Sequence, residues 1–292
     1  MVMPDGVGII DTMIGFPMRD KSETYAFINR QVRDRESQEE FSFPAQYMFK
    51  DVPDEAAADD DPVELTLREM DLFGIEMGLV GVSADGEGDG ARAVRRHPDR
   101  FIPGGRVDPN EGVDAVRQIR RAHETFGIRS VDVFPAGCSP PVPIDDRKMY
   151  PIYSTCVELG ISVWVCAGVP GPRLPMASQR VELIDEVMYD FPELVFVTRH
   201  GCEPWTDLAV KLMLKWPGLH YCTSAFAPKH YPKAIIDYAN TRGADKVIYA
   251  GYFPMGLTLD RIMGDMVHVP FADHVWPKFL RGNAARVLGL EG

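Results

Sequence analysis

Ser162-Val163-Trp164-Val165-Cys166-Ala167-Gly168, running into the turn Val169-Pro170-Gly171-Pro172, decides how the rest of the chain is read. From Val163 to Ala167 the run is uninterruptedly apolar, too short for a helix, and stopped by glycine and proline. A strand reads this way when both of its faces are covered, as in a parallel sheet. Outward from it the same pattern recurs, giving strands over Val7–Asp11, Met77–Ser83, Phe101–Asp108, Ile128–Pro135, Ser162–Gly168, Leu194–Gly201, Leu219–Phe226 and Lys246–Phe253.

Helix-like segments separate them: Pro62–Phe73, a short one near Gly90–Arg96, Glu111–Phe126, Arg147–Leu159, Ser178–Tyr189, Trp205–Leu214, Pro232–Asn240 and Leu257–Met266. Asp61-Pro62 is a helix start, and Gly127 and Gly160 are helix stops. Eight β-α units predict a (β/α)8 barrel with its chemistry at the strand C-termini. A doubly wound open sheet is the alternative, because alternation alone does not separate closed from open. Without a Pro/Gly linker or low-complexity segment, residues 1–292 read as a single domain. One connection is abnormal: residues 16–61, between the first strand and the first helix, far exceed the usual few. They carry Phe16, Tyr25, Phe27, Phe41, Phe43, Tyr47 and Phe49, then an acidic run from Asp51 to Asp61. In a barrel this insertion lies over the mouth, either as an aromatic lid or as a self-packed or subunit-contact loop.

The 292 residues include 31 basic and 43 acidic side chains, a net charge of −12. That balance argues against nucleic acid and anionic membrane as partners and leaves a small molecule as the expected one. The cysteines Cys138, Cys156, Cys166, Cys202 and Cys222 are odd in number and include no CxxC pair, so a disulfide framework is not expected. Met1–Ile10 lacks a basic, apolar leader pattern, and no apolar run approaches the ~20 residues that span a bilayer. A cytoplasmic protein is expected. Phosphate-loop, nucleophile-elbow and zincin motifs are absent from the sequence. Asp85-Gly86-Glu87-Gly88-Asp89-Gly90 mimics a nucleotide loop, but its carboxylates would repel an anion.

The strand ends hold the informative residues. His200 closes strand six, where a neutral imidazole serves as acid or base, or sits as a structural histidine. Cys166 is either a nucleophile, if its thiol is activated by His200, or a small buried hydrophobe. Asp11 ends strand one and either orients a partner, acts as base or makes a structural contact. Arg106 at strand three either grips a substrate carboxylate or pairs with Asp108, two residues on and on the same side of the strand, while Asp132 lies on strand four. Arg199 and Glu203 flank His200, and Glu203 is positioned to hold its tautomer. Lys229 and His230 follow strand seven on a loop that either contacts an anionic substrate or is merely solvated.

Met70-Asp71-Leu72-Phe73-Gly74-Ile75, His97-Pro98-Asp99-Arg100-Phe101, the Gly168–Pro172 turn, His200-Gly201 with Pro204-Trp205, Pro254-Met255-Gly256 and Asn283-Ala284 occur in this order. With them the chain resembles the amidohydrolase-2 branch of the amidohydrolase superfamily, which includes decarboxylases, hydrolases and hydratases. The resemblance implies a barrel, commonly dimeric. It also implies a metal site built from an HxH or ExH pair after strand one, a His on strand five, a His on strand six and an Asp on strand eight. Those positions fall on Met13, Gly15, Cys166, His200 and Tyr252, so only one is kept. The expectation is therefore a hydrolase or decarboxylase-like lyase without the usual metal site. It would act on a carboxylated or cyclic organic molecule, with His200, Tyr252, Asp11 and Cys166 as catalytic candidates. Arg106, Asp132, Arg199, Lys229 and His230 are the substrate-binding candidates. No cofactor is expected, although a weak metal site from Cys166, His200 and Asp11 stays open. The rival is a non-catalytic barrel that binds a ligand or steadies a partner subunit.

Overall fold

The computed structural model describes residues 3–4, 6–39, 43–49, 52–53, 57 and 60–290. Its sheet contains β1 (Ile9–Asp11), β2 (Ile75–Gly81), β3 (Phe101–Arg106), β4 (Ser130–Val133), β5 (Ser162–Cys166), β6 (Phe196–Arg199), β7 (Leu219–Cys222) and β8 (Val247–Ile248). All neighbours are parallel and in sequence order. The seam between β8 and β1 excludes the open-sheet alternative. Thr12 donates to the Tyr249 carbonyl through its N–H at 3.4 Å and its hydroxyl at 2.7 Å. The Gly251 N–H donates to Asp11 Oδ1 at 2.8 Å, and the Gly15 N–H to the Phe253 carbonyl at 2.8 Å. The fold is a (β/α)8 barrel.

The last strand is far shorter than Lys246–Phe253. The physical reason is that the next backbone donors are taken elsewhere: Tyr249 N–H by the Phe279 carbonyl at 3.0 Å, Ala250 N–H by Thr223 Oγ1 at 3.2 Å, and Gly251 N–H by Asp11. β2 starts two residues before Met77, at Ile75, because Ile75 pairs with Ile9. The expected helix Ser178–Tyr189 is broken into 3₁₀ turns at Ala177–Gln179 and Val181–Leu183, followed by a helix over Ile184–Asp190. Elsewhere the caps act as the sequence suggests. Asp61 accepts from Val63 N–H at 3.0 Å, and Gly127 takes the left-handed conformation that ends its helix.

Two apolar layers result. Ile10, Leu79, Ile102, Trp164, Val197 and Ile248 fill the barrel interior, and a larger layer packs the helices on the sheet. The glycine-rich segment after β2 belongs to this packing. A Cβ on Gly90 would stand 1.9 Å from the Gly81 carbonyl oxygen, so only glycine lets the helix Gly88–Arg96 approach the sheet.

Between β1 and the helix Pro62–Leu72, the described part of the insertion forms short helical turns at Lys21–Thr24, Ala26–Asn29, Arg35–Glu39 and Gln46–Met48. Phe41 and most of the acidic run lie outside the described residues. Ile28, Val32, Phe43 and Ala45 are buried. Gln31 Nε2 donates to the Gly137 carbonyl at 2.8 Å, and Tyr47 OH to the Gly171 carbonyl at 2.7 Å. Arg173 pairs with Asp34, with Glu36 at 2.9 Å, and lies over the Tyr47 ring. Among the described residues no helix is long and apolar enough to cross a membrane.

Candidate functional site at the barrel mouth

At the C-terminal ends of the strands a cavity of about 730 Å³ opens under the insertion. Strand ends supply its polar floor: Arg106 from β3, Asp132 from β4, Cys166 from β5, Arg199 and His200 from β6. Tyr25, Tyr47 and Phe49 from the insertion supply an aromatic wall.

His200 is set by an unusual backbone. Its φ is 64°, in the left-handed region that a residue with a Cβ seldom enters. Ala225, on the facing loop, has φ 69°. Strain of this kind costs ~1–3 kcal/mol per residue and collects at functional sites. Ser224, just before Ala225, accepts the His200 N–H at 3.1 Å and lies 3.3 Å from Nδ1 through the same Oγ. Ser224, rather than Glu203, is the side chain beside the imidazole nitrogen Nδ1. It was legible only as the polar end of strand seven, Thr223-Ser224. Burial, helped by the charges of Arg199 and Arg106, lowers His200 from 6.5 to about 3, so the imidazole is neutral. The Tyr252 ring meets it edge-on with centroids 5.8 Å apart, and burial pushes the phenol up.

Arg199 and Asp132 form an ion pair on the floor, Nη1 to Oδ2 at 2.6 Å. Nη2 donates to the Thr12 carbonyl at 3.2 Å, and the guanidinium lies over the Trp164 ring at 5.4 Å. Burial pushes the Asp132 carboxyl up, against the charges of Arg199 and Arg106. Arg106 pairs with neither Asp108 nor Asp132. It is exposed to the cavity and stacks on Phe27 at 4.7 Å, while Asp108 accepts the Asn110 N–H at 2.9 Å.

His230 lines the cavity, but Lys229 does not; it pairs with Asp265 at 3.5 Å. Asp11 is also outside the cavity. It is fully buried in the seam, where Oδ1 accepts the N–H groups of Gly251 and Met13. Burial raises Asp11 to about 6, opposed by those two N–H groups, Tyr249 and Arg199. Its place is that of a strand clip. Cys166 is in the cavity, but burial pushes its thiol to about 12, opposite to the direction a thiolate nucleophile needs.

The residues at the family's five ligand positions do not fit a divalent metal: Met13 offers a thioether, Gly15 no side chain, Cys166 a protonated thiol and Tyr252 a protonated phenol, so of these five only His200 is a ready donor. Asp11 is outside the cavity, with Oδ1 taken by the Gly251 and Met13 N–H groups in the seam. Among the described residues no group of three His, Cys, Asp or Glu side chains is placed to hold a metal ion.

The fold and the mouth define a (β/α)8 barrel with a charged, aromatic-walled pocket at the strand ends. Residues 50–290 match the family model described as Amidohydrolase, and the chain belongs to that family. No curated protein matches it. Among solved structures it is similar to an uncharacterised TIM-barrel protein from Bordetella bronchiseptica. The two are 26% identical over 97% of this chain and 98% of that one, with a TM-score of 0.72. A 2,6-dihydroxybenzoate decarboxylase from Rhizobium is 15% identical over 98% and 99%, with a TM-score of 0.66. A 5-carboxyvanillate decarboxylase from Novosphingobium aromaticivorans, complexed with manganese, is 17% identical over 97% and 96%, with a TM-score of 0.65.

Proposed function

We propose that this barrel is a decarboxylase-like lyase that acts on a carboxylated, ring-bearing small molecule, with His200 as its proton carrier and no step through a divalent metal. The observation that carries the reading is Arg106. Its guanidinium is exposed in the cavity, backed by the Phe27 ring, and no carboxylate among the described residues forms an ion pair with it. It is also close enough to His200 to disfavour the imidazolium. A substrate carboxylate on Arg106 cancels that repulsion and adds a negative charge, so His200 gains proton affinity when substrate enters. His200 takes a proton from water as the substrate enters, and the imidazolium gives it to the ring carbon that bears the carboxylate. The bond to carbon dioxide breaks, its electron pair stays with the ring, and the imidazole returns to neutral. Tyr252 donates to an oxygen of the substrate as charge moves. Tyr25, Tyr47 and Phe49 of the insertion act as a lid that packs on the ring. Decarboxylases among the similar folds support the reaction type.

The test is carbon dioxide release from a panel of hydroxybenzoates and related cyclic acids. For the acid that turns over, His200→Ala lowers kcat by ~10²–10⁴-fold, the usual worth of a positioned proton carrier. Arg106→Ala raises KM with a smaller effect on kcat. Unchanged turnover in both variants would sink the assignment.

A further inference from the structure

Proton transfer at His200 and carboxylate capture at Arg106 leave one feature of the mouth without a task. Arg199 is 8% exposed, yet it lines the cavity and keeps its charge against burial through Asp132. It is locked on three sides by Asp132, the Thr12 carbonyl and the Trp164 ring. Even so, the pair is not fully satisfied, because the buried Arg199 Nε and Asp132 Oδ1 have no hydrogen-bond partner. A buried ion pair adds little stability that apolar residues of similar size would not supply. Trp164 and Val197 show that this barrel fills the space below with such residues. Met13, Cys166, His200 and Tyr252 line the same cavity as the pair.

We propose that Arg199, held in place by Asp132, is the fixed cation of this site and binds a second oxygen of the anionic substrate where the residues at the family's metal positions do not suit a divalent ion. The inference rests on reading the cavity as an anion-binding active site, and it names that site's second anchor. The two arginines then divide the work. Arg106, exposed and held on one ring face, captures the incoming carboxylate. Arg199, immobile, holds an adjacent hydroxyl or oxyanion in a set position relative to His200. A guanidinium stays charged at every working pH and does not dissociate from the chain.

The probe is 2-hydroxybenzoate, with benzoate as the acid lacking the second oxygen. Binding to EDTA-treated, dialysed protein is measured by calorimetry with and without manganese chloride. The expected result is binding that manganese leaves unchanged and that favours 2-hydroxybenzoate over benzoate. Arg199→Gln alone strands a buried Asp132 charge and destabilises the fold. The double variant Arg199→Gln with Asp132→Asn removes both charges, and its folding is checked by circular dichroism. It is expected to lose the preference for the hydroxy acid, with about tenfold weaker binding of it, while Arg106→Ala weakens both acids alike. The proposal is overturned if wild type does not bind 2-hydroxybenzoate, if manganese tightens that binding about tenfold, or if the double variant keeps the preference. Intact binding and preference without carbon dioxide release from any acid would count against the lyase reading alone.

Discussion

His220 is the second residue of β7, near the foot of the barrel and 6% exposed, and burial with the nearby charges of Lys246 and Arg286 lowers it from 6.5 to about 3. The folded chain therefore holds it neutral, while the unfolded chain protonates it below pH 6.5. Between pH 6.5 and 3 the unfolded state binds the extra proton, so this residue's contribution is complete above 6.5 and is lost as pH falls. His220→Gln is expected to leave stability at pH 8 within ~1 kcal/mol of wild type, and to recover up to a few kcal/mol of the acid loss. Urea unfolding across a pH series measures it; parallel curves for the two proteins would refute it. His200 is neutral for the same first reason, burial, but its setting differs. Its ring lines the cavity, so its proton affinity is open to change by a bound ligand in a way that of His220 is not.

At the scale of elements, the insertion is fastened to the β5 loop by exposed contacts. Arg173 pairs with Asp34 and Glu36, and Tyr47 OH bonds to the Gly171 carbonyl. Exposed pairs are worth only ~0–1 kcal/mol each, so Arg173→Ala is expected to leave the melting temperature nearly unchanged. It is also expected to speed proteolytic cutting within residues 16–61 several-fold and to speed ligand release. Limited proteolysis with mass mapping reads the first effect, and an unchanged cutting rate would show that the latch lies elsewhere. This long connection was visible in the sequence because length and aromatic content are local properties. So were most of the strands, since an apolar run stopped by glycine or proline is self-contained. β8 was overread because Asp11, Thr223 and Phe279 take its donors from remote parts of the chain. The Asp132–Arg199 pair was hidden for the same reason. Those residues are brought together by the β4–β5–β6 register, with Asp132 beside Trp164 and Cys166 beside Arg199. Ser224 and Asp11 likewise owe their positions to the closing of the barrel rather than to any motif.

For the whole molecule, closing a parallel barrel requires the last strand to be held at both ends. Its mouth end is tied to β1 through Asp11 and Thr12; its foot is tied by Asn283, from the C-terminal helix Asn283–Val287. Asn283 is fully buried, and its Nδ2 donates to the carbonyls of Ala244 at 2.8 Å and Val247 at 2.7 Å. Asn283→Ala leaves both carbonyls without that donor inside the protein. A buried polar group stripped of its partner costs ~1–3 kcal/mol, so a loss of about 2–5 kcal/mol is expected, with an unchanged urea m-value because the surface exposed on unfolding is the same. The effect belongs to the barrel as a whole and not to the pocket. Asn283 does not line the cavity, and its contacts are at Ala244 and Val247, at the other end of β8 from Tyr252. Below the variant's melting temperature, the affinity for 2-hydroxybenzoate is therefore expected to match wild type. Urea titration and calorimetry on the same preparation separate the two quantities. A variant that keeps full stability would mean that the β8 foot is held by the Tyr249–Phe279 backbone bond alone, and one that loses affinity while folded would mean that the foot and the mouth of the barrel are mechanically coupled.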